Sequence, residues 1–172
     1  MTITFSLDTA SINRAIKEVE RYRDELPQKL KRLREMMAER VAWSASRGFS
    51  NALVSDVIKG AEPSSNVQVT VEHGDHVSIV FAEGEQAVFI EYGAGVYNNG
   101  AAGSSPHPWG PEFGYYIGGY GQGKGKRNAW GYYDDSGKVV ITRGTPAAMP
   151  MYHGLEDAKR VIDDLILEVF GD

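Results

Sequence analysis

The 172-residue sequence predicts an α+β fold, with a long N-terminal helix and a C-terminal helix packed on a small antiparallel sheet. Three observations carry that expectation. An apolar stripe at three- and four-residue spacing runs from Ile12 to Ala45, alternating Val/Thr segments follow it, and a second helical stripe closes the chain. The apolar fraction of 42% suffices for a buried core, and the length suits a single domain over 1–172.

The first stripe is Ile12, Ile16, Val19, Tyr22, Leu26, Leu30, Leu33, Met37, Val41 and Ala45. Its spacing is that of one buried helix face. Asp8 or Thr9 can cap the start. Pro27 lacks a backbone donor, so either one helix kinks there or a second begins with Pro27 in its first turn. Gly48, Ser50 and Asn51 should end the run.

Over 65–93, Val67, Val69 and Val71 alternate with polar residues, as in a half-buried strand. A turn at His73-Gly74-Asp75 leads to a return strand over 76–81, and Ala87–Tyr92 reads as the third strand of a meander. Residues 94–128 then form a Gly/Pro/aromatic-rich insertion with neither helical nor strand period. A loop of that length inside a domain is usually functional or disordered, and its aromatics exceed what a spacer needs. Trp130–Tyr133 and Lys138–Thr142 flank Asp134–Gly137 as a hairpin. After an extended link over 144–150, Leu155, Ala158, Ile162, Leu165 and Val169 mark the last helix.

Catalytic signatures are weak. The chain has no Cys and no Gly-x-Ser-x-Gly elbow. The four histidines (73, 76, 107 and 153) stand outside any motif, so no catalytic, cofactor or metal residue is assigned. His73, Asp75 and His76 could be drawn as a metal site, but a solvated turn tip explains them better. Glu83/Glu85 and Asp134/Asp135 fall in turns, where a glycosidase would need acids facing each other across a cleft. Gly121–Arg127 lacks the Lys-[Ser/Thr] ending of a phosphate loop. The basic run Lys29–Arg34 reads as an outer helix face. A net charge of −5 disfavours a general nucleic-acid coat. No stretch approaches a membrane span.

The run Ala87-Val-Phe-Ile-Glu-Tyr-Gly-Ala-Gly95 resembles the Glu-aromatic-Gly-Thr-Gly signature of the gene-product-ten-like tail-component family of long-tailed bacteriophages. Ser105-Pro-His-Pro-Trp109 and Trp130-Gly-Tyr-Tyr133 resemble that family's aromatic insertion. Gly144-Thr-Pro146, Met149-Pro-Met151 and the final helix resemble its closing link. Ala94 departs from the usual Thr, and the Pro-x-x-Thr-Gly-x-Leu entry after the first helix is missing.

The resemblance implies a non-enzymatic, cofactor-free virion part for tail completion or head–tail joining, assembled in the bacterial cytoplasm. Its partners would be copies of itself in a ring, with a hexamer expected, and other neck and tail proteins. DNA would be met only as the lining of a channel. Interaction candidates are Glu91, Tyr92, Gly93, Gly95, Trp109, Tyr115, Tyr116, Tyr120, Lys124, Lys126, Arg127 and Trp130. Gly93 and Gly95 would leave a strand at positive φ, and Glu91 would face solvent or a neighbour. Rival readings are a carbohydrate-active lysin and a nucleic-acid-binding module using Lys29–Arg34 and Lys124–Arg127.

Overall fold

The first stripe folds as one helix, α1, spanning Thr9–Asn51 in a computed structural model that describes residues 6, 8–95, 106–110, 112 and 129–171. At 1.5 Å per residue this helix is about 65 Å long. Asp8 caps it, accepting from the Ser11 N–H at 2.9 Å. Pro27 lies inside without ending the helix. Ion pairs Arg21–Glu25 and Glu25–Lys29 flank the proline.

Only the C-terminal part of α1 is buried, through Ala38, Ala42, Ala45 and Phe49. The expectation of one buried stripe therefore holds for half the helix. Ile12, Ile16, Val19 and Leu30 are 37–56% exposed.

The predicted hairpin forms as β2 (Gln68–His73) and β3 (Ser78–Glu83), antiparallel with Val71 opposite Val80. Arg34 holds its tip, donating to the Gly74 and Asp75 carbonyls at 2.8 and 3.1 Å and to Ser78 Oγ at 3.2 Å. Lys29 packs over the Tyr22 and Phe170 rings, and Arg32 pairs with Glu168 at 3.3 Å. The basic run thus ties the helix to its own chain, where the sequence suggested a solvated face.

The third strand of the expected meander is instead a helix, α2 (Ala87–Tyr92). Its residues are apolar at almost every position, so periodicity could not separate strand from helix. Gly84, at φ +147°, closes the hairpin, and the buried residues Ala87, Ile90 and Glu91 share a helical face.

A second sheet lies elsewhere, in the order β1 (Val57–Lys59), β5 (Val139–Thr142), β4 (Trp130–Tyr133). Its hairpin, β4 (Trp130–Tyr133) and β5 (Val139–Thr142), is the predicted one. The strand β1 (Val57–Lys59) was not anticipated, being too short to show a period.

The last stripe folds as two helices, α3 (Pro150–Arg160) and α4 (Ile162–Phe170), broken at Val161. They pack chiefly along α1, whereas the sequence suggested that both helices would cover one sheet face. Small residues allow this approach. A Cβ on Gly154 would stand 2.8 Å from the Val41 carbonyl oxygen, and one on Gly48 would stand 2.8 Å from Pro150 Cβ. The core where α1, α2 and the β2–β3 hairpin meet contains Phe49, Val54, Ala87 and Ile90, with Val67, Val69 and Ala82 against it.

Candidate functional site

The signature segment and the Pro-rich link, more than fifty residues apart in sequence, form one unit. Ala94 and Thr145 exchange two backbone hydrogen bonds, at 2.8 and 3.2 Å, and the Ala148 N–H donates to the Ile90 carbonyl at 2.8 Å. Gly93 and Gly95 take φ of +83° and +73°, as their place in the sequence suggested, although they follow a helix and not a strand. Gly144, at φ +119°, lies so close to the signature that a Cβ there would come 2.2 Å from the Ala94 oxygen.

Glu91 occupies the centre of this unit. The sequence placed it facing outward; it is 6% exposed. The correction follows from α2 being a helix, which turns Glu91 inward with Ala87 and Ile90. Its Oε2 accepts the Met151 N–H at 2.9 Å, and its Oε1 accepts the Tyr152 N–H at 3.0 Å. These are free donors of the first turn of α3, whose first residue, Pro150, has none to offer. Met149, just before, is left-handed at φ +51° and supplies no side-chain cap. Glu91 is therefore the cap of α3, supplied from another helix, and its charge suits the positive helix end.

The same Oε1 also contacts His107 Nε2, at 3.0 Å. His107 Nδ1 accepts the Trp109 backbone N–H at 3.1 Å, so the ring proton belongs on Nε2 and is donated to Glu91. The imidazole is 3% exposed. Tyr92 lies 4.3 Å away between ring centroids, and Trp109 and Tyr152 meet edge-on at 5.4 Å beside it. Short-range patterning could not reveal His107, because its partner is 16 residues away and belongs to a segment without a period.

Beside this lock an apolar groove of about 420 Å³ opens between α1, α2 and α3. Val41, Val88, Trp109, Met151 and Leu155 line it, and among the described residues Glu91 is its only acidic lining residue. Both carboxylate oxygens of Glu91 are engaged, and among the described residues no second acid faces it. The groove can bind apolar side chains; its described residues do not include the opposed acids that glycoside hydrolysis uses.

A broader cleft of about 1220 Å³ lies by the second sheet and includes Glu62, Glu85, Asp134 and Asp135 with Tyr132 and Tyr133. Asp134 closes its own turn, accepting from Ser136 Oγ at 2.7 Å and from the Ser136 and Lys138 N–H groups, both at 2.9 Å. Those bonds hold its carboxyl below the ordinary value of 3.8, the opposite of what a general acid needs. Burial, and then the charge of Asp134, raise the Tyr132 phenol above 10.0.

Of the predicted interaction residues, Glu91, Tyr92, Gly93, Gly95 and Trp109 gather here. The Trp130 backbone begins β4. Tyr115, Tyr116, Tyr120, Lys124, Lys126 and Arg127, with most of the insertion, lie outside the described residues. His73 does not join Asp75 and His76 in a metal site; its ring nitrogens meet Glu39 and Ser78. Among the described residues no cluster of three metal-ligating side chains occurs, and no helix is long and apolar enough to cross a membrane. The chain matches no protein-family model, no curated protein and no solved structure.

Proposed function

We propose that this chain is a structural virion protein of a tailed bacteriophage or prophage, which completes the tail and joins it to the head by ordered association. The observation that carries the assembly reading is the bare half of α1, with Ile12, Ile16, Val19 and Leu30 exposed along one face. A helix face of that kind is stabilised when another protein surface covers it. The phage assignment comes from the sequence resemblance, whose signature and closing link make up the Glu91-centred unit. On this reading Glu91, His107 and the neighbouring rings hold a rigid body together, and the exposed surfaces assemble. Copies of the chain form a ring, with six as the expected number, that meets other neck and tail proteins.

Peptide mass spectrometry of purified particles from a strain carrying the gene tests this reading. The expected result is the chain at a few copies per particle, with immunogold label at the head–tail joint. Its absence from intact particles, or purified chain that cleaves cell-wall polysaccharide, would contradict it.

A lysin remains the second reading because of the acids in the broader cleft. It requires an acid there whose replacement by its amide abolishes cleavage.

A further inference from the structure

We infer that the bare half of α1 is an interface for a second copy of this chain, whose own α1 packs against it antiparallel. The inference rests on the assembly reading only in taking this face as an interface; the geometry comes from the helix itself.

Residues 12, 16, 19, 23, 26 and 30 fall within an arc of about 80° at 100° per residue. Five are aliphatic and one is Arg23. Their spacing alternates four and three, the a/d pattern of a two-helix seam, with 16, 23 and 30 at one position and 12, 19 and 26 at the other. In this chain α4 ends beside Lys29, whose ammonium lies 5.9 Å from the Phe170 ring. Nearer the N-terminus, Ile16 and Val19 stay about half exposed. Leu30 of the same arc is 56% exposed, and Leu26 is partly buried.

Register and charge identify the occupant. In an antiparallel pair, positions whose numbers sum to 42 face each other. Ile12 meets the partner's Leu30, Ile16 meets the partner's Leu26, and Val19 meets the partner's Arg23. Every outer layer is then aliphatic on both sides. In the single chain Arg23 pairs with its own Asp24 at 2.9 Å; the central layer also brings each Arg23 beside the partner's Glu20, two opposite-charge contacts related by the two-fold axis. A parallel, in-register pair would instead stack Arg23 on its own copy in the seam and set Lys29 near the partner's Arg34. Two helix faces about 30 Å long and 10 Å wide together cover on the order of 600 Å². This is below the roughly 1,200–2,000 Å² of a stable complex. The pair is accordingly weak and exchangeable, as a part awaiting incorporation requires.

The lack of cysteine makes disulfide trapping unambiguous. Ile12 and Leu30 are both exposed, so replacing them leaves the core intact. Oxidation of the full chain carrying Ile12→Cys and Leu30→Cys should give a covalent dimer and nothing larger. Neither single variant should cross-link, because residue 12 and its own copy lie about 27 Å apart in this register. In the cysteine-free chain, Glu20→Arg should weaken self-association measured by sedimentation about tenfold, and adding Arg23→Glu should restore it.

Absence of the covalent dimer overturns the pairing. Dimers from Ile12→Cys alone, which mean a parallel pair, or a ladder of larger products, which means head-to-tail contacts, overturn it too. If trapping fails while the chain is still found in particles, the antiparallel geometry falls and the virion reading stands.

Discussion

Glu91 accepts hydrogen bonds from two partly buried backbone amides of α3 and from the buried His107 ring. Removing its carboxylate strands three donors at once, one buried and two partly buried, so Glu91→Ala should lower stability by about 2–3 kcal/mol. His107→Ala should cost less, because it leaves both amides capped. Urea denaturation checks the order of the two midpoints, and equal midpoints would mean that the cap contributes little. The ring proton adds a spectroscopic test: nitrogen shifts of His107 should report the Nε2–H tautomer.

Two surface carboxyls, Asp8 and Asp134, are held below the ordinary 3.8, Asp8 by the Ser6 hydroxyl first and the Ser11 N–H next. Folding favours their ionised forms. What they contribute is therefore complete above about pH 4 and is lost as pH falls through the lowered folded-state values. Amide exchange at Ser11, corrected for intrinsic pH dependence, should quicken over that acidic interval if the cap is real.

At the scale of elements, α1 is continuous through Pro27 although an interior proline costs about 3 kcal/mol. Pro27→Ala should stabilise local helix over residues 9–26 by about 1–3 kcal/mol, read as slower amide exchange there. Where α1 and α3 cross, Gly154→Ala should destabilise by about 1–3 kcal/mol, since its Cβ would press on the Val41 carbonyl and not on a flexible side chain. Gly144→Ala should cost at least as much, being both left-handed and overlapped by the Ala94 oxygen.

The elements also divide by how legible they were. The α1 stripe, the Val67–Val71 alternation and the last stripe were readable because each repeats one period over several residues, and the Asp134 turn because Asp134–Gly137 carries turn-forming residues between two strand segments. The α2 run was misread because Ala-Val-Phe-Ile supplies no polar residue to set a phase, and β1 was not anticipated because three residues hold no period. Gly93 and Gly95 announced their positive φ. Glu91 did not announce its cap, because its amide donors are 60 and 61 residues away. Its outward orientation was inferred from a strand that does not exist.

At the scale of the molecule, periodicity shows that a helix face must be covered without showing by what. The α1 stripe has the same spacing where α3 and α4 cover it and where none of the described residues does. That difference, visible only in three dimensions, separates a rigid body around Glu91 from a protruding apolar face, and the assembly account rests on it. Hydrogen exchange of the full chain, compared between dilute and concentrated protein, measures it most directly. The account predicts that amides over residues 12–30 gain protection on association, while those of 87–95 and 144–152 are unchanged. Protection of 12–30 independent of concentration and of added virion components would contradict it.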